Sequence, residues 1–154
     1  MLTEEEKKEI DEHIKDYPTR RAVCIEALKI IQRNKRWVSD ESLKDIADYL
    51  KMTVEELDSV ATFYNLVFRK PVGRHVIFIC DSISCWIVGY TKLYEHLNKT
   101  LGISFGETTE DDRFTILPIP CLGTCDHAPA LMIDNDLHRD LSPDKIDEIL
   151  KNYK

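Results

Sequence analysis

The apolar pattern of the chain changes period once, and that change limits the fold more than any other feature. Up to about residue 68 the apolar residues recur at helical spacing. Cys24, Ala27, Leu28 and Ile31 form one such stripe, and Leu43, Ile46, Ala47 and Leu50 another. After Pro71-Val72-Gly73 the apolar residues come in strand-sized blocks, led by Val76-Ile77-Phe78-Ile79-Cys80. A Pro/Gly break between two different periods marks a boundary. The expected organisation is a helical unit over residues 1–70 and an α/β unit over residues 71–154.

Local signals fill in both halves. Thr3 to Glu6 has the form of a capping box, which predicts a helix to about Asp16. Pro18 suits the first turn of a second helix ending near Asn34. Ser39 is placed to cap a third helix, and Thr53 with Glu56 forms another capping box. The second half reads as a strand over 74–80, a helix from about Ser84 to Leu101, and a strand from Phe114 to Ile119. A strand over 130–133, a tight turn at Asp134-Asn135-Asp136, a short strand near Leu137 and a helix from Pro143 to about Asn152 complete it. A β-α-β crossover followed by a hairpin and a closing helix fits a small sandwich of the thioredoxin kind, so the expected class is α+β.

Four cysteines are concentrated in that half. Cys80 and Cys85 are separated by four residues, Cys121 and Cys125 by three, and thirty-five residues lie between the pairs. All four fall where elements end, at one end of the expected sheet. The N-terminus is acidic and no apolar run approaches the roughly 20 residues needed to cross a bilayer. No secretory signal is recognisable, so a cytoplasmic, reducing setting is expected, in which such cysteines read as ligands or free thiols. Their spacing suits either an iron–sulfur cluster or a zinc ion. The C-x₂-C repeat of zinc ribbons and dithiol oxidoreductases is absent.

Charge narrows the partners. The formal net charge is −7, and residues 71–154 carry 8 basic and 13 acidic side chains. The one stretch that could pass for a helix-turn-helix presents Glu55, Glu56 and Asp58 where phosphates would have to bind, which argues against nucleic acid. Neither G-x-G-x-x-G nor a P-loop is present.

The cysteine pattern, with Cys121-Leu122-Gly123-Thr124-Cys125 as its most specific part, resembles the thioredoxin-like [2Fe–2S] ferredoxin family. Within it, the chain is most similar to the small [2Fe–2S] subunits of bacterial proton-pumping NADH:quinone oxidoreductase. Ile25-Glu26-Ala27-Leu28, Val60-Ala61-Thr62-Phe63-Tyr64, Gly73-Arg74-His75-Val76-Ile77 and Leu141-Ser142-Pro143 extend the resemblance over nearly the whole chain. It implies a small helical bundle followed by a thioredoxin-like domain. It also implies one [2Fe–2S] cluster held by Cys80, Cys85, Cys121 and Cys125. The expected pairing puts Cys80 and Cys85 on one iron and Cys121 and Cys125 on the other. The implied partner is a larger subunit that binds FMN and NADH, with the rest of a peripheral arm, on the cytoplasmic side of the plasma membrane. Relatives also serve NAD-linked hydrogenases and formate dehydrogenases. A zinc-stabilised adaptor is the reading from a different class.

Several residues carry further expectations. Cys24 lies on an apolar stripe and reads as a core thiol. His127 reads as a solvated loop residue near the second pair. Trp86, beside Cys85, would shield a cluster or pack under the start of a helix. The apolar segment over residues 62–68 reads as the cover of a junction between the two units. Where family members often have Asp-Gly, this chain has Asp112-Arg113, and Arg does not easily take the positive φ that Gly permits.

Overall fold

The computed structural model describes residues 1–154. The chain divides into two compact units, Met1–Pro71 and Val72–Lys154. No helix is long and apolar enough to cross a membrane.

The first unit holds four helices: α1 (Glu4–Ile14), α2 (Cys24–Lys35), α3 (Asp40–Leu50) and α4 (Val54–Phe63). Both predicted capping boxes form, Thr3 with Glu6 and Thr53 with Glu56, and Ser39 accepts from the Ser42 N–H. Each cap satisfies amide groups that a helix start leaves without partners. The core joins Ile10, Leu28, Ile31, Leu43, Ile46, Leu50 and Leu57. The second helix starts later than Pro18 suggests. Pro18 sits in the turn after α1, a 3₁₀ turn follows at Arg20–Val23, and α2 begins at Cys24. The tighter 3₁₀ winding suits a single connecting turn. The segment after α4 is fastened to its own unit. Gln32 Nε2 donates to the Leu66 carbonyl at 2.8 Å, and Phe68 N–H donates to Gln32 Oε1 at 2.6 Å. Arg69 reaches the Val38 carbonyl, Asp58 at 2.8 Å and Asp40 at 2.6 Å.

The second unit is built on a four-stranded sheet of order β2-β1-β3-β4. β1 (His75–Cys80) pairs in parallel with β2 (Phe114–Ile119) and antiparallel with β3 (Leu131–Ile133), which pairs with β4 (Asp136–His138). β2 lies at an edge, and there Pro118 costs no interior hydrogen bond. Asp134 takes φ +53° in the two-residue turn before β4. Ile77 and Ile79, Phe114 and Ile116, and Leu131 and Ile133 alternate onto one sheet face. There they join Leu93 and Leu97 of α6 (Tyr90–Leu101) and Ile146 and Leu150 of α7 (Pro143–Leu150). Val76, Phe78 and Cys80 alternate to the other face and are buried as well.

The predicted helix from Ser84 to Leu101 is two helices. α5 (Ile83–Val88) ends and α6 begins at Gly89, whose φ of +135° lies outside the range of helical residues. Gly89 N–H closes α5 onto the Cys85 carbonyl at 3.1 Å, and its own carbonyl accepts from Leu93 N–H at 3.2 Å. The Asp112-Arg113 turn also differs from expectation. Asp112 takes the positive φ, +59°, and Arg113 N–H is held by Thr109 Oγ1 and Asp111 Oδ1, each at 3.1 Å. Asp tolerates the left-handed region better than most residues, so Arg113 is not asked to adopt it.

Gly73 opens β1 under a different constraint. A Cβ there would stand 2.9 Å from the backbone carbon of Phe114, while its N–H donates to Thr115 Oγ1 at 2.6 Å. Gly73→Ala therefore pushes the start of β1 away from β2. Thermal and urea denaturation should show a loss of about 1–3 kcal/mol, the usual cost of overpacking.

Candidate metal centre

The two cysteine pairs meet at the end of the sheet where β1 finishes. Cys80 is the last residue of β1 and Cys85 lies in α5; both are buried. Cys121 follows β2 on a loop, and Cys125 opens a 3₁₀ turn, Cys125–His127; both are exposed. Asp81 N–H bonds the Ile119 carbonyl at 3.1 Å, and Cys80 N–H the Ala130 carbonyl at 3.2 Å. The strand ends on either side of Cys80 therefore hold the loops that carry the other thiols. All five cysteines are free thiols.

Cys121 Sγ and Cys125 Sγ are 3.9 Å apart. Two thiolates on one tetrahedral metal, with bonds of about 2.3 Å, stand about 3.8 Å apart, so this pair is already at ligating separation. The Cys80 and Cys85 thiols are near enough to shift each other's ionisation. Contacts also cross between the pairs. The Leu122 backbone favours the charged form of Cys80, and the Ser84 side chain that of Cys125. The thiols stand as two neighbouring pairs rather than a single cage, since no three His, Cys, Asp or Glu side chains gather closely enough to hold one ion.

The surroundings treat the thiols differently. Burial works to raise Cys80, but the side chain and backbone of Ser82, the backbone of Leu122 and the Cys85 thiol outweigh it and hold Cys80 below the usual thiol range. Burial, followed by the neighbouring Cys80, pushes Cys85 up. Hydrogen bonding to Cys121, then its charge, pushes Cys125 up. Hydrogen-bond donors steady negative charge on sulfur, and they are distributed along both loops. Cys80 Sγ lies 3.4 Å from Ser82 Oγ, and Gly123 N–H donates to Cys121 Sγ at 3.3 Å. Thr124, between the second pair, buries a side-chain oxygen that has no partner in the protein. That hydroxyl remains available to an acceptor the chain does not supply.

Ser82, Ser84 and Thr124 are not singled out by the sequence pattern. Their signal is modest: three hydroxyl residues interleaved with four cysteines. His127 is half-exposed as expected for a loop residue, but it is held by Asp140 at 2.9 Å and lies 3.5 Å from Asp126. Trp86 is 60% exposed. Phe63 and Leu66, in the segment expected to cover a junction, are exposed too. Cys24 belongs to the first unit, at the start of α2, packed against that unit's core.

A model of the thioredoxin-like [2Fe–2S] ferredoxin family matches residues 10–154. The chain belongs to that family. Its relatives include a subunit of the NADH-quinone oxidoreductase of Pseudomonas aeruginosa, 46% identical over 153 residues that span 99% of this chain and 92% of that protein. The corresponding NADH-quinone oxidoreductase subunit of Escherichia coli K12 is 47% identical over the same shares. Among solved structures, an NAD+-reducing [NiFe]-hydrogenase in the air-oxidised state aligns over 86% of this chain and 22% of that longer chain. Its TM-score is 0.68 at 23% identity, a likeness of fold.

For this ferredoxin-family chain the place of Cys24 against the core of the first unit has a direct consequence. Cys24→Ala should leave iron and labile sulfide per chain, and the visible spectrum, at the wild-type level; iron analysis and absorbance check it.

Proposed function

We propose that this chain is the electron-transfer subunit of an NADH:quinone oxidoreductase, holding one [2Fe–2S] cluster on Cys80, Cys85, Cys121 and Cys125. The supporting observation is the meeting of the two thiol pairs at the end of β1, in a chain aligned nearly end to end with subunits of that oxidoreductase. In this reading residues 1–70 are a helical domain, and residues 71–154 are the thioredoxin-like domain that carries the cluster. The partner is a larger subunit with FMN and NADH, and the assembly's peripheral arm lies on the cytoplasmic side of the membrane.

The donor set favours a binuclear centre over a single zinc ion. Each iron of such a centre takes two protein thiolates and shares the inorganic sulfides, so two adjacent pairs suit it. A structural zinc ion wants all four thiolates on one tetrahedron. When bound, the cluster supplies a one-electron acceptor whose formal charge goes from about −2 to about −3 on reduction. The chain's residues bear that added charge. Ser82 Oγ and the Gly123 N–H contact the ligand sulfurs, and a donor there stabilises the more negative state more strongly. Cys80 and Cys85 are withdrawn from water, whereas Cys121 and Cys125 face it, which gives the electron a short route through the exposed side.

Aerobically purified protein should be red-brown, with about two irons and two labile sulfides per chain. Colourless protein with stoichiometric zinc overturns the reading. Cys121→Ser should lose or weaken the cluster while far-UV circular dichroism stays helical; an unchanged EPR spectrum of the reduced protein would remove Cys121 from the ligand set. Ser82→Ala removes one hydrogen bond to the Cys80 sulfur. It should keep the iron content and move the reduction potential to a more negative value, read by EPR-monitored redox titration.

A further inference from the structure

We propose that the Thr124 hydroxyl donates a hydrogen bond to an inorganic sulfide of the [2Fe–2S] cluster, and that this bond raises the reduction potential of the centre. This rests on the electron-transfer reading above and gives one side chain a share in setting the potential at which that site accepts its electron.

Thr124 differs from the other buried polar residues of the chain, which are Glu6, Ser42 and Thr115. Glu6 accepts from the Thr3 N–H at 2.8 Å, Ser42 Oγ is bonded to Ser39 Oγ at 3.1 Å, and Thr115 Oγ1 accepts from the Gly73 N–H at 2.6 Å. Thr124 is 8% exposed, and its Oγ1 has no partner. It also stands where a threonine ordinarily turns its oxygen to the backbone. It occupies the cap position of the 3₁₀ turn Cys125–His127, yet its side chain makes no cap bond. Thr3, Ser39, Thr53 and Ser142 each cap the helix that follows them. The turn is closed through the main chain instead, with His127 N–H donating to the Thr124 carbonyl at 3.0 Å. A hydroxyl withdrawn from water without a partner costs free energy, so a side chain held in this state points to an acceptor outside the chain.

The neighbours limit what that acceptor is. Thr124 lies between Cys121 and Cys125, whose sulfurs are 3.9 Å apart, and its hydroxyl bonds neither of them. Cys121 Sγ accepts from the Gly123 N–H at 3.3 Å instead. With both flanking sulfurs set aside, the acceptor that a binuclear centre brings and the chain lacks is inorganic sulfide. A single zinc ion on four thiolates brings none and leaves the hydroxyl without a partner. The hydroxyl is a neutral donor that adds no charge of its own. It keeps its proton throughout. One electron enters the cluster, nothing else is transferred, and the formal charge moves from about −2 to about −3. A bond to the more negative sulfide is the stronger one, so it favours the reduced state, and burial of the hydroxyl enlarges the difference.

The test uses the full chain purified with its cluster. Thr124→Val keeps the shape of the side chain and removes the hydroxyl, and Thr124→Ser keeps the hydroxyl. Iron and labile sulfide per chain are measured first, then the reduction potential by EPR-monitored redox titration. Thr124→Val should hold wild-type iron and sulfide and titrate at a more negative potential. At a fixed poise its ratio of reduced to oxidised cluster should fall about tenfold, the loss of one hydrogen bond to a charged group. Thr124→Ser should titrate close to the wild type. The Fe–S stretching bands in resonance Raman should shift when the wild type is moved into D2O, and shift less in Thr124→Val. Where Thr124→Val fails to fold, the same comparison is read from Thr124→Ala against Thr124→Ser. A wild-type potential and wild-type Raman shifts in the variants without the hydroxyl overturn the proposal and leave the cluster in place. A Thr124→Ser variant that titrates with Thr124→Val assigns the effect to the methyl group and also overturns it. A wild-type chain that holds zinc and no labile sulfide overturns the electron-transfer reading and this proposal together.

Discussion

β1 is buried along five of its six residues and paired on both sides, and the α/β unit depends on that burial. A strand flanked by a parallel and an antiparallel neighbour has no free edge, so its end is fixed in space. That end is Cys80. The loops after β2 and before β3 are tied to it through backbone bonds of Asp81 and Cys80. The positions of the other thiols therefore follow from sheet pairing.

Burial and charge oppose each other at this end of the sheet. Withdrawing a thiol from water disfavours its thiolate, and placing four thiols together adds mutual repulsion when they ionise. The protein answers with short-range donors. At Cys80 the hydroxyl and backbone of Ser82 with the backbone of Leu122 overcome the burial, while at Cys85 burial prevails. The result is a graded site, with one pair inside the fold and one at its surface. An electron carrier benefits from both halves, because the buried pair limits rearrangement on reduction and the exposed pair leaves a route out.

Much of this is legible in the residues, for identifiable reasons. Helix starts at Thr3, Ser39, Thr53 and Ser142 are readable because capping is local chemistry within four residues. β2 has its observed limits in the sequence because its β-branched and aromatic run is closed by prolines. The break at Gly89 is hidden because the leucine spacing of α6 continues smoothly past it, and only backbone dihedrals reveal where the helical path is left. The late start of α2 is hidden because Pro18 fits a helix start and a connecting bend equally well.

For the thiols, sequence alone determined which cysteines could act together and what chemistry their type and spacing permits, since ligand identity is a property of the residues. Tertiary structure decided the rest. It set Cys121 and Cys125 at ligating separation, gave Cys80 its donors, buried one pair and exposed the other, and turned Ile83, Trp86 and Ile87 outward while Cys85 turned in. These depend on contacts between segments far apart in the chain. Local pattern carries no information on such contacts, because they are fixed by sheet register and by the competition of every apolar surface for the same core.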